Sequence, residues 1–237
     1  MPLPLDILNE RPDERVRPLK GLSSREHLLV HEVYVSIQGE GTSVGRPCTF
    51  VRTTACHLRC RYCDTAHAFH EGTERSVDDV VGEVEGHAIP LVLVTGGEPL
   101  LQPAVHALMS RLCDFGHEVL LETSGAVSTE RVDPRVKVIL DVKTPGSGEV
   151  ERNLWENLER LRPHDEVKLV ITGDEDYAFA RDLVTERRLD ERCAVLFSPE
   201  AESMDAARLA ERIVEDRLKV RFQMQLHKVL WGSRRGV

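Results

Sequence analysis

Three closely spaced cysteines are the residues of this chain best suited to hold a metal centre. Three residues separate Cys56 from Cys60, and two separate Cys60 from Cys63. Thiolates at such spacings can converge on one soft metal centre, either zinc or an iron–sulfur cluster. Structural zinc sites usually close with a second short-spaced pair of ligands, whereas the other three cysteines of this chain are isolated. Three thiolates on a four-iron cluster would leave one iron open to a small molecule.

Length and composition narrow the possible functions. A chain of 237 residues, 41% of them hydrophobic, can bury the core of one domain or at most two. Its formal net charge of −9 argues against nucleic acid or an anionic membrane as the main partner, because phosphate groups bind to basic patches. The longest apolar runs are strand-sized, far short of the roughly 20 residues of a membrane span. The amino-terminus lacks the pattern of a secretory signal and clustered cysteines suit a reducing compartment, so we expect a cytoplasmic protein.

The hydrophobic pattern predicts strands that alternate with helices, which is typical of a parallel sheet built from βα units. Several strands are continuous apolar runs, as expected where both faces of a sheet are covered. One connection, residues 124–135, is short and contains Pro134, which leaves little room for a crossover helix. The predicted strands are 28–37, 48–53, 90–95, 118–122, 136–142, 167–172, 194–197 and 219–225, and the predicted helices are 76–85, 102–113, 153–161, 175–187 and 204–215.

Six of these strands from residue 48 onward predict an open, partial barrel. A complete eight-fold barrel typically needs about 250 residues. Residues 1–28 contain prolines and many charges without periodicity, so we expect an extension that lies along the surface or is partly disordered. We assign residues 29–237 to a single core domain that ends in a C-terminal tail.

The polar, turn-forming residues fall where the predicted strands end. Parallel α/β sheets and barrels bind ligands at the carboxyl ends of their strands. Five of these ends should therefore meet at one rim, with the cysteine loop beside four polar turns. The four turns are T-G-G-E-P (95–99), E-T-S-G (122–125), D-V-K-T-P (141–145) and F-S-P-E (197–200).

Residues 31–237 resemble the 7-carboxy-7-deazaguanine synthases, a family of radical S-adenosylmethionine (SAM) enzymes. The cysteine spacing and G-G-E-P are general to radical SAM enzymes, and the remaining motifs make the resemblance specific. The resemblance implies an α/β fold, namely a partial, open (β/α)6-type radical SAM barrel with a shortened crossover and an N-terminal extension. The motifs are S-I-Q-G-E-G (36–41), F-V-R (50–52), C-D-T (63–65), T-G-G-E-P (95–99), E-T-S-G (122–125), D-V-K (141–143) and Q-L-H-K-V-L-W-G (225–232).

This family converts 6-carboxy-5,6,7,8-tetrahydropterin to 7-carboxy-7-deazaguanine and releases ammonia. The resemblance implies that Cys56, Cys60 and Cys63 hold a 4Fe–4S cluster whose fourth iron binds SAM. Reduction cleaves SAM to a radical that abstracts hydrogen from the pterin, while the protein positions both molecules and excludes water. The implied SAM contacts are Tyr62, Cys63, Asp64, Gly96, Gly97, Glu98, Ser124, Lys143 and Ser198.

The substrate side follows a separate logic. A carboxypterin offers one carboxylate, which suits a bidentate pair with Arg52, and a guanine-like N–H edge, which suits Gln38 or Glu40. The family pattern also places Mg²⁺ between the Thr65 hydroxyl and the substrate carboxylate, although Mg²⁺ is usually bound through carboxylates or phosphates. The implied substrate contacts are Ile37, Gln38, Gly39, Glu40, Arg52, Thr95 and His227.

Several alternatives stay open at this point. The alternative for Arg52 is a surface ion pair, for Thr65 a capping role, and for His227 a capping or core position. The alternative functions are a radical SAM activase that acts on a partner protein, and a zinc or iron–sulfur module without catalysis. Three reduced structural cysteines are the plainest alternative for the triad. The family also implies an electron donor such as flavodoxin or ferredoxin, and a homodimer.

Overall fold

A computed structural model describes residues 10–22, 25–232, 234 and 236 of the chain. Nine strands form one sheet, and seven helices accompany it in these residues. The strands are β1 (His27–Ile37), β2 (Pro47–Thr53), β3 (Thr73–Ser76), β4 (Leu91–Gly96), β5 (Glu118–Thr123), β6 (Lys137–Val142), β7 (Glu166–Ile171), β8 (Ala194–Pro199) and β9 (Arg221–Phe222). The helices are α1 (Pro12–Arg15), α2 (Val77–His87), α3 (Ala104–Asp114), α4 (Glu156–Glu159), α5 (Asp174–Arg187), α6 (Ala206–Glu215) and α7 (Leu226–Trp231).

The sheet is mostly parallel and open. Its strand order is β3-β1-β2-β4-β5-β6-β7-β8-β9, and every neighbouring pair from β2 to β9 is parallel. The Thr42 hydroxyl, shortly after β1, donates to Glu166 on β7 at 2.5 Å. Since four strands separate β1 from β7, this contact requires a strongly curved sheet. The predicted α/β class and the open, partial barrel are confirmed, as is the absence of a helix within the described crossover 124–135.

Two apolar layers cover the sheet. The outer and larger layer packs the buried faces of the long helices against the strands, and it includes Val105, Leu108 and Leu112 on α3. The inner layer is a small cluster whose members include Phe50 and Leu120. Because side chains alternate between the faces of a strand, the residue two positions after each member of this cluster points to the same face of the sheet. The side chains at the carboxyl-terminal ends of the strands on this inner face form what we call the mouth of the sheet.

The amino-terminal half of the sheet contains a hairpin-like edge that the sequence pattern misses. β1 runs antiparallel to β2, and the short strand β3 pairs antiparallel with β1 through His27–Ser76 to Val30–Thr73. Ser76 then begins α2, and its hydroxyl accepts from the amide of Asp79 at 3.0 Å. The helix predicted from residue 76 thus begins with Ser76 as its cap, and residues 73–76 form a strand that was not predicted.

The helix predicted over residues 153–161 is wrong in extent. Only α4 and a preceding 3-10 turn, Val150–Arg152, are present. Asn153 lies between them because its side chain bonds the backbone of Lys143 twice, at 2.9 Å and 2.8 Å. Asn157 likewise donates to the carbonyls of Gly125 and Val127. Asn157 thus stabilises the short crossover, and both side chains replace helical turns with bonds to distant backbone groups.

The strand predicted over residues 219–225 is also shorter than expected. Only Arg221 and Phe222 pair with β8, after which the Gln223 amide makes one more bond to Phe197. The chain then turns into α7 because its polar side chains bind the turn after β1 instead of continuing the ladder. No helix in the described part of the chain is long and apolar enough to cross a membrane. The division into an extension (1–28) and one core domain (29–237) stays a prediction.

Candidate active site

The cysteine loop begins where β2 ends and is held by backbone bonds from both sides. The Ala55 amide donates to Ala68, and the Ala55 carbonyl accepts from Glu98 at 2.8 Å. Cys56 and Cys60 are buried, Cys63 is half-buried, and all three are free thiols. Burial raises the pKa of the Cys60 thiol to about 12, so a proton stays on it until a metal centre replaces the proton.

The three thiols form one buried group with Leu58 and Phe69, and Tyr62 packs against it. No disulfide competes for them among the described residues. A loop that presents three shielded, reduced thiols fits a 4Fe–4S cluster, whose ligands are thiolates. Burial also raises the pKa of the Tyr62 phenol, which remains neutral beside this group.

The N-terminal segment closes over the outside of this loop. The guanidinium of Arg59, which is 2% exposed, donates to Glu10 at 3.0 Å and lies 4.0 Å above the Phe69 ring. Glu149 accepts from the Arg59 amide at 2.7 Å and from Arg15 at 3.2 Å. Residues of the predicted extension (1–28) thus help to fix the fold of the cysteine loop.

Glu98 of the G-G-E-P turn organises the neighbouring turn. Its Oε1 accepts from the Leu100 amide and the Thr123 hydroxyl, at 3.0 Å and 2.9 Å. Its Oε2 accepts from the Ser124 amide and hydroxyl, at 2.8 Å and 2.5 Å. A carboxylate offers about four acceptor positions, and all four are used within the protein. A contact from Glu98 to the SAM amino group therefore stays a prediction.

Gly96 and Gly97 are required by close packing against the end of β2. Gly96 has φ of +147°, and a Cβ there would lie 2.3 Å from the Thr53 carbonyl oxygen. A Cβ on Gly97 would lie 2.1 Å from the carbonyl oxygen of Ala55. The lack of side chains at these two glycines therefore allows the G-G-E-P turn to pack directly against the start of the cysteine loop. The predicted SAM contacts belong to this same turn.

Successive parallel strands place polar side chains at the mouth of the inner face. Arg52 and Thr95 are register partners on β2 and β4, and the Thr95 hydroxyl donates to Glu122 on β5 at 3.3 Å. Asp141 on β6 and Lys168 on β7 are also register partners. Ser198 on β8 is buried at the same end of the sheet. The predicted meeting of these strand ends at one rim agrees with this arrangement.

Lys168 is the central residue of the mouth, and the sequence analysis missed it. Its ammonium lies 3.1 Å from Glu40 and 3.5 Å from Asp141, and it also contacts Glu122. Burial alone would lower the Lys168 pKa, but the three carboxylates outweigh it and raise the pKa well above its ordinary value. Lys168 lies two residues before Val170 in the otherwise apolar stretch V-K-L-V-I. A lysine inside such a stretch is the sequence signal of a buried charge.

Lys143 extends the same charged group toward the cysteines. Its ammonium pairs with Asp141 at 3.0 Å, and its side chain is 9% exposed. Asp141 Oδ1 is buried and has no hydrogen-bond partner among the described residues. Burial would lower the Lys143 pKa, but Asp141 and the nearby Cys60 raise it. A buried acceptor and a buried ammonium at the mouth suit the polar groups of a bound small molecule.

The Q-G-E-G turn is fixed by the carboxyl-terminal tail. Glu40 accepts from Gln223 at 3.0 Å and from Gln225 at 2.8 Å, in addition to Lys168. The Gly41 amide donates to Gln223 at 2.6 Å. Glu40 and Gln38, which is 3% exposed, therefore have fixed positions beside the mouth. Ile37 ends β1 just before this turn.

His227 and Lys228 attach α7 to both halves of the site. His227 packs so closely on Gly39 that a Cβ there would lie 2.2 Å from its Nδ1. Lys228 pairs with Asp64, which follows Cys63, at 2.9 Å. Burial would raise the Asp64 pKa, but Lys228 outweighs it and lowers the pKa to about 2. The structure thus places His227 against the Q-G-E-G turn, which is neither a core nor a capping position.

Arg52 uses only part of its guanidinium group for hydrogen bonds within the protein. Its Nε donates to Glu32 at 2.7 Å and its Nη2 donates to the Tyr34 hydroxyl at 3.0 Å. Tyr34 is itself fixed by stacking on Phe50, with 4.9 Å between the ring centres. No bond to Nη1 occurs within the described residues, so hydrogens of the guanidinium remain for a ligand. The ion pair is real but partly buried, unlike the surface pair considered from sequence.

The Thr65 side chain does not cap its loop. The 3-10 turn Ala66–Phe69 begins after Thr65 without a side-chain cap. The Thr65 hydroxyl instead lies 3.7 Å from the Cys63 sulfur. The structure therefore removes the capping alternative and leaves the magnesium role as a prediction.

Comparisons with known proteins agree with this geometry. Residues 50–144 match the Radical SAM superfamily, which binds a 4Fe–4S cluster and SAM. A 7-carboxy-7-deazaguanine synthase of Chlorobaculum tepidum is 41% identical over 220 residues, which cover 91% of this chain and 100% of that protein. One of Koribacter versatilis is 42% identical over 219 residues, covering 86% and 97%. The crystal structure of QueE from Escherichia coli superposes with a TM-score of 0.69 over 89% of this chain and 98% of that one, at 23% identity.

The structural likeness supports the fold, and the sequence likeness supports the family. The matched relatives are similar along almost their whole length. On these grounds the chain belongs to the 7-carboxy-7-deazaguanine synthase family of radical SAM enzymes.

Proposed function

We propose that this protein is a radical SAM lyase that converts 6-carboxy-5,6,7,8-tetrahydropterin to 7-carboxy-7-deazaguanine with release of ammonia. One observation carries the proposal: three shielded thiols share a mouth with fixed groups that complement a carboxylated pterin. Arg52 offers free donors for the carboxylate, and Glu40 offers an acceptor for the N–H edge. The mouth is covered by α7, which favours a small substrate over the peptide loop of an activase target.

The protein's own residues bind and shield the reactants. Cys56, Cys60 and Cys63 would hold the 4Fe–4S cluster, which together with SAM supplies the hydrogen-abstracting radical. We assign the SAM contacts to the residues around Ser124, Lys143 and Ser198, and to the loop that follows Cys63. Substrate contacts are assigned to Ile37, Gln38, Gly39, Glu40, Arg52, Thr95 and His227.

Anaerobic turnover tests this function. The reconstituted protein, a reductant, SAM and 6-carboxy-5,6,7,8-tetrahydropterin should give 7-carboxy-7-deazaguanine and ammonia, followed by liquid chromatography and mass spectrometry. An unchanged pterin in the presence of an intact cluster and SAM cleavage would contradict the proposed substrate. A protein that binds zinc at the three cysteines and assembles no cluster would contradict the reaction class.

We propose that Mg²⁺ binds beside Thr65 together with the substrate. The Thr65 hydroxyl is not used as a cap, and it projects next to the cysteine loop. A neutral hydroxyl is a poor anchor for Mg²⁺, which prefers hard, charged oxygens and keeps several waters. Most of the charge compensation must then come from the substrate carboxylate. The ion should accordingly bind weakly without the carboxypterin and tightly with it.

The electron donor and the assembly are also proposals. An acidic one-electron carrier such as flavodoxin or ferredoxin suits the exposed arginines next to the cysteine loop, of which Arg61 and Arg152 are examples. Exposed apolar side chains at Val44, Phe222 and Met224 line one surface depression and suit the interface of a homodimer. Free thiols and an oxygen-sensitive cofactor suit the cytoplasm.

A further inference from the structure

Three side chains beside Arg52 have the composition and spacing of a transition-metal site. His31 and Glu32 lie on β1, and His67 lies on the 3-10 turn that follows the cysteine loop. Their ligand-capable atoms all lie within 4.8 Å of one another. All three residues are partly buried, so they are shielded from bulk solvent but still reachable by an ion.

A bulge in β1 creates this arrangement. Consecutive residues of a strand normally point to opposite faces, which would separate His31 from Glu32. The register between β1 and β2 shifts between Val30 and Glu32, and such a bulge redirects side chains. The imidazole rings of His31 and His67 consequently lie 5.0 Å apart between centres.

The hydrogen bonding of His31 prepares its second nitrogen for a metal. His31 Nδ1 lies 3.0 Å from the Glu71 carbonyl oxygen. A carbonyl oxygen only accepts, so the proton sits on Nδ1 and the neutral ring offers the lone pair of Nε2. Histidines that bind metals usually donate their other ring N–H to a carbonyl or a carboxylate in this way.

We propose that His31, Glu32 and His67 form a binding site for a divalent transition-metal ion, with Zn²⁺ as its representative. Two imidazoles and one carboxylate are a common donor set for Zn²⁺ and related ions, whereas Mg²⁺ prefers oxygen ligands. The site is therefore chemically distinct from the one at Thr65. His67 Nε2 lies 4.0 Å from Glu32 Oε1, so the ion must draw its ligands together by roughly 1 Å to reach bond lengths near 2 Å.

The site is coupled to Arg52 through a shared carboxylate. Arg52 Nε donates to Glu32 Oε1 at 2.7 Å, so the guanidinium and the metal ion repel each other across Glu32. Removal of the guanidinium should therefore tighten metal binding. Conversely, a bound metal ion should weaken the hold of Glu32 on Arg52. Neither statement requires the proposed reaction, because metal binding is measured without pterin or SAM.

Equilibrium dialysis of the cluster-loaded protein against micromolar Zn²⁺ under anaerobic conditions tests the site, with zinc and iron both counted by mass spectrometry. We expect about one zinc per chain without loss of iron. His31→Gln and His67→Gln should each weaken binding by tenfold or more. His70→Gln is the matched control, because His70 lies close in sequence but pairs with Glu10. Arg52→Gln should tighten binding by about tenfold.

Three outcomes would overturn the proposal. The first is a wild-type protein that retains no zinc above buffer level while its iron stays bound. The second is zinc uptake that both His31→Gln and His67→Gln leave unchanged, with iron content showing that these variants are folded. The third is zinc uptake that releases iron in proportion, because the zinc would then occupy the cysteines.

Discussion

The two sides of the mouth are built in different ways. On the proposed cofactor side, the cluster-binding part is one continuous loop, in which Cys56, Cys60 and Cys63 lie within eight residues and bonds to adjacent strand ends fix the backbone. The proposed substrate side joins residues that are far apart in sequence, and its stability depends on charge. Lys168 alone contacts three carboxylates from three different segments, including Glu40 at a distance of 128 residues along the chain.

This difference predicts different responses to substitution. A local loop held by backbone bonds should lose function when a ligand is removed but keep its fold. A buried group of charges should fail as a unit, because removal of one partner leaves the others uncompensated. Lys168 carries one positive charge against Glu40, Glu122 and Asp141, and Lys143 is the only other cation seen in this group within the described residues.

The largest effect is expected at the cysteines. Cys60→Ala removes the ligand of one iron, so SAM cleavage should fall below detection, and Cys56→Ala and Cys63→Ala should behave alike. Cys193→Ala is the matched control because Cys193 lies away from the loop and should keep its activity. Iron content and 5′-deoxyadenosine formation measure both effects. A cluster retained by Cys60→Ala and lost by Cys193→Ala would refute the assignment of the triad.

The next effect concerns the charged group around Lys168. Lys168→Met leaves the carboxylates of Glu40, Glu122 and Asp141 without their shared cation, which for a buried pair costs about 3 kcal/mol or more. We expect kcat/KM for the carboxypterin to fall on the order of 100-fold, while the iron content is unchanged. Lys168→Arg keeps the charge and should retain more activity than Lys168→Met. Equal losses of cluster and of turnover in Lys168→Met would show that the two sides are not independent.

A smaller effect is expected at Arg52, which belongs to the substrate side alone. Arg52→Lys keeps the charge but loses the planar fork, so affinity for the carboxypterin should fall by about tenfold or more. Affinity for SAM, measured on the same cluster-loaded protein, should not change. Unchanged pterin affinity would remove Arg52 from the substrate site.

The N-terminal segment provides a test on the cofactor side. Glu10→Gln removes the charge that faces the buried guanidinium of Arg59. We expect a chelator to remove iron several-fold faster, because the cysteine loop loses the ion pair that connects Arg59 to the N-terminal segment. Glu14→Gln is the matched control, since Glu14 pairs with Arg11 at an exposed position. Identical rates for the two variants would show that the segment does not secure the loop.

The smallest effect is expected at Thr65. Thr65→Val removes the hydroxyl but keeps the shape, so the Mg²⁺ concentration needed for half-maximal turnover should rise a few-fold. The cluster and the SAM affinity should be preserved. Turnover of both proteins is measured against Mg²⁺ after chelation, and identical curves or full activity without divalent metal would rule out a Mg²⁺ role for Thr65.

The same contrast explains what could be predicted from sequence. Strands β2 and β4–β8 are regular apolar runs, and the cysteine loop and polar turns are local motifs, so their order and their meeting at one rim follow from periodicity. The extent of the helix in residues 153–161 could not be predicted from periodicity, because Asn153 and Asn157 bind distant backbone groups. The same holds for Glu98, whose three bonds from the next turn cannot be inferred from the string G-G-E-P.

Lys168 and the N-terminal segment show the limits most clearly. A single lysine in an apolar strand signals burial of a charge but does not name its three partners. The charged extension predicted over residues 1–28 looks solvated in the sequence, because Arg59, the partner of Glu10, is identified only when the fold brings the two residues together. Tertiary contacts thus determine the substrate side and the outer face of the cofactor side.

The most direct test of the account is one anaerobic assay that counts three products from wild-type, Cys60→Ala and Lys168→Met proteins. The products are 5′-deoxyadenosine, 7-carboxy-7-deazaguanine and ammonia. We predict that the wild type forms all three from the carboxypterin, that Cys60→Ala forms none, and that Lys168→Met still cleaves SAM but forms little deazaguanine. Wild-type protein with a complete cluster that cleaves SAM yet leaves the carboxypterin unchanged would contradict this prediction.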